Sequence, residues 1–151
     1  MTTKVYKILP DAARKIREKV FVEEQGFPSA AEFDDADASA VHFVALECGK
    51  PVGVCRATER GDGEWLIGRI AVVKECRGRG VGAALVSAAE EFASLRGGRS
   101  AVIHAQTRAR GFYERIGYSV FGEPDEEEGV PHIWMKTIFE RRCERSCCVS
   151  R

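Results

Sequence analysis

The stretch Cys76-Arg77-Gly78-Arg79-Gly80-Val81-Gly82-Ala83-Ala84-Leu85-Val86 packs glycine and arginine together and then turns into an apolar helical pattern. Such a stretch is suited to holding an anion, and the question is which one. Gly78, Gly80 and Ala83 formally fit a dinucleotide turn. That turn belongs on the first strand of a parallel βαβ unit, with an acidic residue about 20 positions further on to hold a ribose. Here hairpin-linked strands precede it, and residues 100–108 read SAVIHAQTR, without a carboxylate. A phosphate loop of the nucleotide-hydrolase kind needs Gly-Lys-Ser/Thr, which is missing. Nucleic acid calls for a basic face, and the chain balances 23 Lys and Arg against 23 Asp and Glu. What remains is a strand feeding a tight loop at the positive end of a helix, where backbone N–H groups and the Arg77 and Arg79 charges converge. Gly80 and Gly82 let a ligand approach the backbone without a Cβ in the way. A pyrophosphate is the natural guest.

The elements that must position this loop follow from periodicity. Val5 to Ile8 reads as a strand, and Pro10-Asp11 opens a helix with Ala12, Ile16 and Val20 on one face. Residues 30–40 are acidic and small, a loop or a poor helical turn. His42 to Cys48 and Val52 to Thr58 pair across Gly49-Lys50, and Gly61-Asp62-Gly63 turns into a strand from Trp65 to Val73. Val81, Leu85, Ala88, Phe92 and Leu95 step by four and three along a helix stopped at Gly97-Gly98. Ser100 to Gln106 is a buried strand, Arg108 to Ile116 a short helix, and Tyr118 to Phe121 a strand. An acidic loop from Glu123 to Glu128 precedes a last strand, Pro131 to Ile138. The fold class is α/β (α+β), one domain over residues 1–139 with a polar, cysteine-rich tail over 140–151. The six cysteines lack the spacing of a disulfide framework, and the N-terminus lacks the apolar core of a signal peptide. No apolar run approaches membrane-spanning length. The expectation is a cytoplasmic protein with no membrane or nucleic-acid partner; a homodimer is one assembly compatible with it.

Arg77-x-x-Gly80-x-Gly82, together with Gly111-Phe112-Tyr113-Glu114-Arg115-Ile116-Gly117-Tyr118, resembles the GNAT superfamily of acyl-CoA-dependent N-acetyltransferases. The resemblance spans about residues 4–138. The segment REKVFVEEQGFP, residues 17–28, with Asp37 and His42, is similar to small stand-alone bacterial members. The resemblance implies a mixed, mostly antiparallel sheet of six to seven strands flanked by about four helices. The fourth and fifth strands would splay around the pantetheine arm of acetyl-CoA, the co-substrate. A bulge in the fourth strand would free backbone N–H groups at Ile70, Ala71 and Val72 for the thioester oxygen. The loop Arg77, Gly78, Arg79, Gly80, Val81 and Gly82 would hold the pyrophosphate. Gln106 would meet the arm, Arg108 the phosphates beside Arg110, and Tyr113 would protonate the departing thiolate.

The base for the amine is less determined. Some members of the superfamily carry a glutamate within the fourth strand, where this chain has Leu66, Gly68 and Arg69, with Glu64 only at the strand's start. Glu24 and His42 are substitutes, and each also reads as an ordinary structural residue. His104 and His132 sit in strands without metal-ligand neighbours in sequence, so no metal is expected. Acidic groups at 32–37 and 125–128 would wall an acceptor cleft opposite the arginines and suit a small-molecule or peptide amine. Two functions are compatible with this pattern: acetyl transfer to a primary amine by direct attack in a ternary complex, or a non-catalytic acyl-CoA-binding domain.

Overall fold

The computed structural model describes residues 1–139. The cysteine-rich tail, with Cys143, Cys147 and Cys148, lies outside them. Eight strands form one sheet: β1 (Thr2–Tyr6), β2 (Val41–Glu47), β3 (Lys50–Gly61), β4 (Glu64–Val72), β5 (Ser100–Gln106), β6 (Ser119–Val120), β7 (Asp125–Glu127) and β8 (Val130–Ile138). Their order is β1-β2-β3-β4-β5-β8-β6, with β7 also on β8, and among the described residues only β4–β5 is parallel. The count exceeds the expected six to seven because Asp125–Glu127, read from sequence as an acidic loop, is a strand. Three two-residue turns make the hairpins, at Cys48–Gly49, Asp62–Gly63 and Glu128–Gly129. In each, both residues have positive φ, the twist that matches flanking antiparallel strands. The first turn therefore sits one residue earlier than the Gly49-Lys50 expected.

Helix α1 (Asp11–Arg17) runs on as a π-helix, Glu18–Glu24, and α2 (Ser29–Glu32) is a single turn. Ala13, Ile16, Val20 and Phe21 pack on Val44, Val54 and Ala71 on one sheet face. On the other face lies α3 (Val81–Leu95), which buries Val81, Leu85, Val86, Ala89 and Ala93. The buried stripe is rotated from the one read in sequence, which ends in solvent at Leu95, 73% exposed. The short helix expected over residues 108–116 divides into a 3-10 turn, Thr107–Ala109, and α4 (Arg110–Arg115).

Arg17 is 1% exposed and ties α1 to the acidic segment. Its Nε donates to Glu32 Oε1 at 2.8 Å, and its terminal nitrogens donate to the Glu32 carbonyl at 2.7 Å and to Asp37 Oδ1 at 2.7 Å. Arg56 donates to Asp34 at 2.6 Å and to Asp37 at 3.0 Å. Arg69 lies 3.3 Å from both Glu32 Oε2 and Asp34 Oδ2. Three cations thus meet three carboxylates. The Arg56 hydrogen bond holds Asp34 below the usual carboxylate range. Burial works against the Asp37 carboxylate, but the hydrogen bond and charge of Arg17, with Arg56 behind them, hold it low as well. Burial raises Glu32 despite its arginines. His42 is 1% exposed, shares its Nε2 with the Asp37 carbonyl at 3.0 Å, and is pushed below its ordinary value by burial.

Removing one member of such a network leaves its partners buried and uncompensated. Arg17→Met should cost about 3–5 kcal/mol of unfolding free energy in urea denaturation, and a loss within error of zero would contradict the network's weight. The pH dependence follows in sign. Asp34, Asp37 and His42 all have folded values below their unfolded ones, so their contributions are present above the unfolded values and vanish as pH falls through the folded ones. Glu32 is raised and acts oppositely. Stability should therefore decline on acidification beginning below about pH 6.5 and steepen below about pH 4. His42→Gln, which keeps a donor toward the Asp37 carbonyl, should remove the upper stage from denaturation curves taken across pH.

Candidate active site

β4 and β5 pair only at Glu64↔Ser100, Trp65↔Ala101 and Leu66↔Val102, and then diverge. The gap opens a cavity of about 820 Å³, with Ile67, Gly68, Arg69 and Ile70 on one side and Ile103, His104, Ala105 and Gln106 on the other. The π-helix and its continuation add Phe21, Glu24 and Gln25 to the lining, and β7–β8 add Glu127, His132 and Trp134.

The β4 wall is irregular where it matters. Between the pairs Val54↔Ala71 and Arg56↔Gly68, Cys55 faces two residues, Arg69 and Ile70, which is a bulge. Arg69 has φ +51°, a left-handed conformation that costs an arginine about 1–2 kcal/mol. Its guanidinium offsets this, donating to the Ala31 and Glu32 carbonyls at 3.1 and 3.2 Å besides its ion pairs. Of the three residues expected at the bulge, Ile70 lies in it and lines the cavity. Ala71 and Val72 are back in register with β3, and Ala71 is buried under α1. Arg69 is not among the residues expected at the bulge, because arginine carries no signal for positive φ.

The glycine loop leads directly into α3. Gly80 takes φ +81° as its N-terminal cap, with open space where a Cβ would stand. Gly82 serves differently from expectation: a Cβ there would meet Phe112 Cζ at 3.2 Å, so it admits a neighbouring ring. Arg77 lines the cavity, donating to the Val72 carbonyl at 3.0 Å and to Glu24 Oε2 at 2.7 Å. Arg79 points elsewhere, to Glu47 Oε1 at 2.6 Å. Gly78 and Gly80 are exposed at the loop, and Val81 is buried beneath it. Gln106 lines the cavity and donates to Gln25 Oε1 at 2.8 Å; Arg108 lines it too, while Arg110 pairs with Glu114.

Tyr113 is 7% exposed and borders the cavity, its ring edge-to-face with Phe112 at 5.0 Å. Burial, with Cys55 nearby, pushes its phenol well above the ordinary value, so it remains a proton donor through the neutral range. The base candidates separate. Glu24 borders the cavity, held by Arg77. Glu64 and His42 are absent from the cavity lining; Glu64 meets Lys136 at 3.3 Å, and His42 is enclosed beneath Asp37. Of the acidic segment 32–37, expected to wall an acceptor cleft, Glu32 and Asp34 line the cavity, and its carboxylates are paired with Arg17, Arg56 and Arg69. His104 and His132 also depart from expectation: the β7 hairpin brings Glu127 against both, a neighbour their sequence surroundings do not reveal. The one available signal is Glu128-Gly129, a dipeptide compatible with a tight hairpin.

The sheet is thus split beside one parallel pair, with a glycine-led helix start next to the split and a buried tyrosine in its wall. Residues 12–139 match the family model described as Acetyltransferase (GNAT) domain, and the chain belongs to the GNAT family of N-acetyltransferases. It is 37% identical over 121 residues to the uncharacterized N-acetyltransferase YjcF of Bacillus subtilis (strain 168), covering 80% of this chain and 86% of that one. It superposes on the crystal structure of an acyl-CoA N-acyltransferase from Pseudomonas aeruginosa with TM-score 0.77 and 27% identity, over 90% of this chain and 99% of that chain. The fold is also that of aminoglycoside 6′-N-acetyltransferase complexed with coenzyme A, with TM-score 0.72 and 16% identity, over 94% and 99% of the two chains.

Proposed function

We propose that the protein transfers the acetyl group of acetyl-CoA to a primary amine of a small molecule or peptide, by direct attack within a ternary complex. The divergence of β4 from β5 beside the α3 N-terminus carries this reading, because it supplies an extended slot ending at an anion-binding helix start. The pantetheine arm would lie in the slot as an added strand, with Gln106 near its amides and the bulge at Arg69 and Ile70 facing the thioester oxygen. The pyrophosphate would take the N–H groups of the loop from Gly78 to Gly82, exchanging with Glu24 for Arg77 and with Glu47 for Arg79. Arg108 would stand at the phosphate end.

The chemistry is a balanced exchange. The amine nitrogen forms a bond to the acetyl carbonyl carbon, the carbon–sulfur bond breaks, and sulfur takes the electron pair. Tyr113 donates its proton to that sulfur. Glu24, freed from Arg77 by the phosphates, lies in the cavity wall and accepts the amine's proton directly or through water. Glu127 and Glu128 add negative charge to the cavity lining, which suits a cationic acceptor.

Binding and turnover are tested separately. Coenzyme A at 100 times its dissociation constant should stabilise the protein by about 2.7 kcal/mol, visible as a rise in Tm. Gly80→Val forces a β-branched residue into positive φ and should remove most of that rise; an unchanged rise counts against the loop. Tyr113→Phe keeps the ring and should lower kcat by about 10²–10⁴-fold with a much smaller change in KM for acetyl-CoA. Near-normal turnover in that variant, measured by thiol release with a panel of amines, would reduce Tyr113 to packing.

A further inference from the structure

At the β7–β8 end of the cavity, His104, Glu127 and His132 form a group that acetyl transfer as described above does not use. His104 Nε2 lies 2.6 Å from Asp125 Oδ1, and His132 Nδ1 lies 2.7 Å from the Val130 carbonyl oxygen. A carboxylate and a carbonyl oxygen accept hydrogen bonds, which favours a donating nitrogen on each ring there. With both rings neutral, these contacts put the proton of His104 on Nε2 and that of His132 on Nδ1. The remaining nitrogens, His104 Nδ1 and His132 Nε2, present lone pairs. Both face the same atom, Glu127 Oε2, at 3.4 and 3.6 Å.

Two lone pairs and a carboxylate oxygen repel one another unless something positive lies between them, and their spacing selects what. A shared proton would draw a pair to about 2.7–2.9 Å. An ammonium donating to three acceptors at ordinary hydrogen-bond length would hold them about 4.6 Å apart. A tetrahedral ion with bonds of about 2.0–2.2 Å sets its ligands about 3.3–3.6 Å apart. The two separations fall in that last range, and one donor atom from each of the three residues lies within 4.8 Å of the others.

We propose that His104 Nδ1, Glu127 Oε2 and His132 Nε2 bind a divalent first-row transition-metal ion, zinc by ligand type and geometry, with its fourth position open to the cavity. The surroundings are those of a built site. Asp125 and the Val130 carbonyl fix both tautomers, as outer partners of metal-bound histidines do. His132 is 4% exposed, His104 stacks on Trp134 at 4.6 Å, and the Glu128–Gly129 turn folds Glu127 back over β8. All three ligands border the cavity, so the ion would meet whatever occupies it.

Cobalt(II) is the probe, added to the full chain after chelator treatment. One equivalent should bind with visible d–d absorption of tetrahedral intensity and quench the fluorescence of Trp134 beside His104. Glu127→Gln, on an exposed hairpin, should weaken binding at least 10-fold, Asp125→Asn by about 10–100-fold through the His104 ring, and His132→Ala should abolish it. Thermal unfolding of each variant checks its fold. Absence of binding would overturn the site. Binding undiminished in Glu127→Gln and His132→Ala, or accompanied by thiolate-to-cobalt charge-transfer bands, would place the ion on cysteines and overturn it equally.

Discussion

A guanidinium sealed from solvent governs one whole side of this molecule. Burying Arg17 is costly, and a charge in that position persists only where its donors find acceptors in good geometry. Glu32 and Asp37 supply them, lying 15 and 20 residues downstream on a segment with little regular structure of its own. Arg17 therefore holds α2 and the following turn against α1. That segment in turn presents two carbonyls and two carboxylates to Arg69, whose backbone is in a conformation it would not adopt unaided. The bulge that shapes the β4 wall is thus sustained by an ion network reaching across both elements. An apolar substitute for Arg17 could fill the same volume but would leave Glu32 and Asp37 without the partner that orients them.

The divergence of β4 and β5 follows a similar logic. The strands share register over three residue pairs, and β5 then continues with β8 from Ser100 to Gln106 while β4 continues with β3. Each keeps one hydrogen-bonded neighbour and gives up the other. Backbone groups left open along the slot are those an extended ligand can satisfy, so the gap in the sheet is also the template for what fills it.

Local chemistry is legible in the sequence, and long-range pairing is not. The glycine-arginine loop, the strand before it, the helix after it and the β5 segment all announce themselves through periodicity and turn residues. Residues 32–37 do not, because an acidic run reads the same whether it is solvated or neutralised by arginines far away in the chain. Leu95 falls into an apolar stripe by spacing alone, although α3 rotates its seam toward Val86, Ala89 and Ala93. The meeting of His104 with Glu127 depends on the register of β5 on β8 and of β7 on β8, and neither histidine has a ligand beside it in the chain. Gly82 reads in sequence as room for a ligand, whereas its neighbour is Phe112, whose placement only the folded sheet determines.

The arginines of the loop begin with partners. Arg77 already holds Glu24, and Arg79 already holds Glu47, each pair substantially exposed. On the proposed function, a phosphate arriving there competes with a carboxylate already in place, so the event would be an exchange of anions more than the neutralisation of bare charge. Dissolved salt weakens the outgoing and the incoming contacts together, since both are screened on the same length scale. Affinity for a phosphate-bearing ligand should then fall with ionic strength along a shallower slope than two unpaired arginines would give. On that reading the resting ion pairs would act as a partial ionic buffer, softening the loop's response to the surrounding electrolyte.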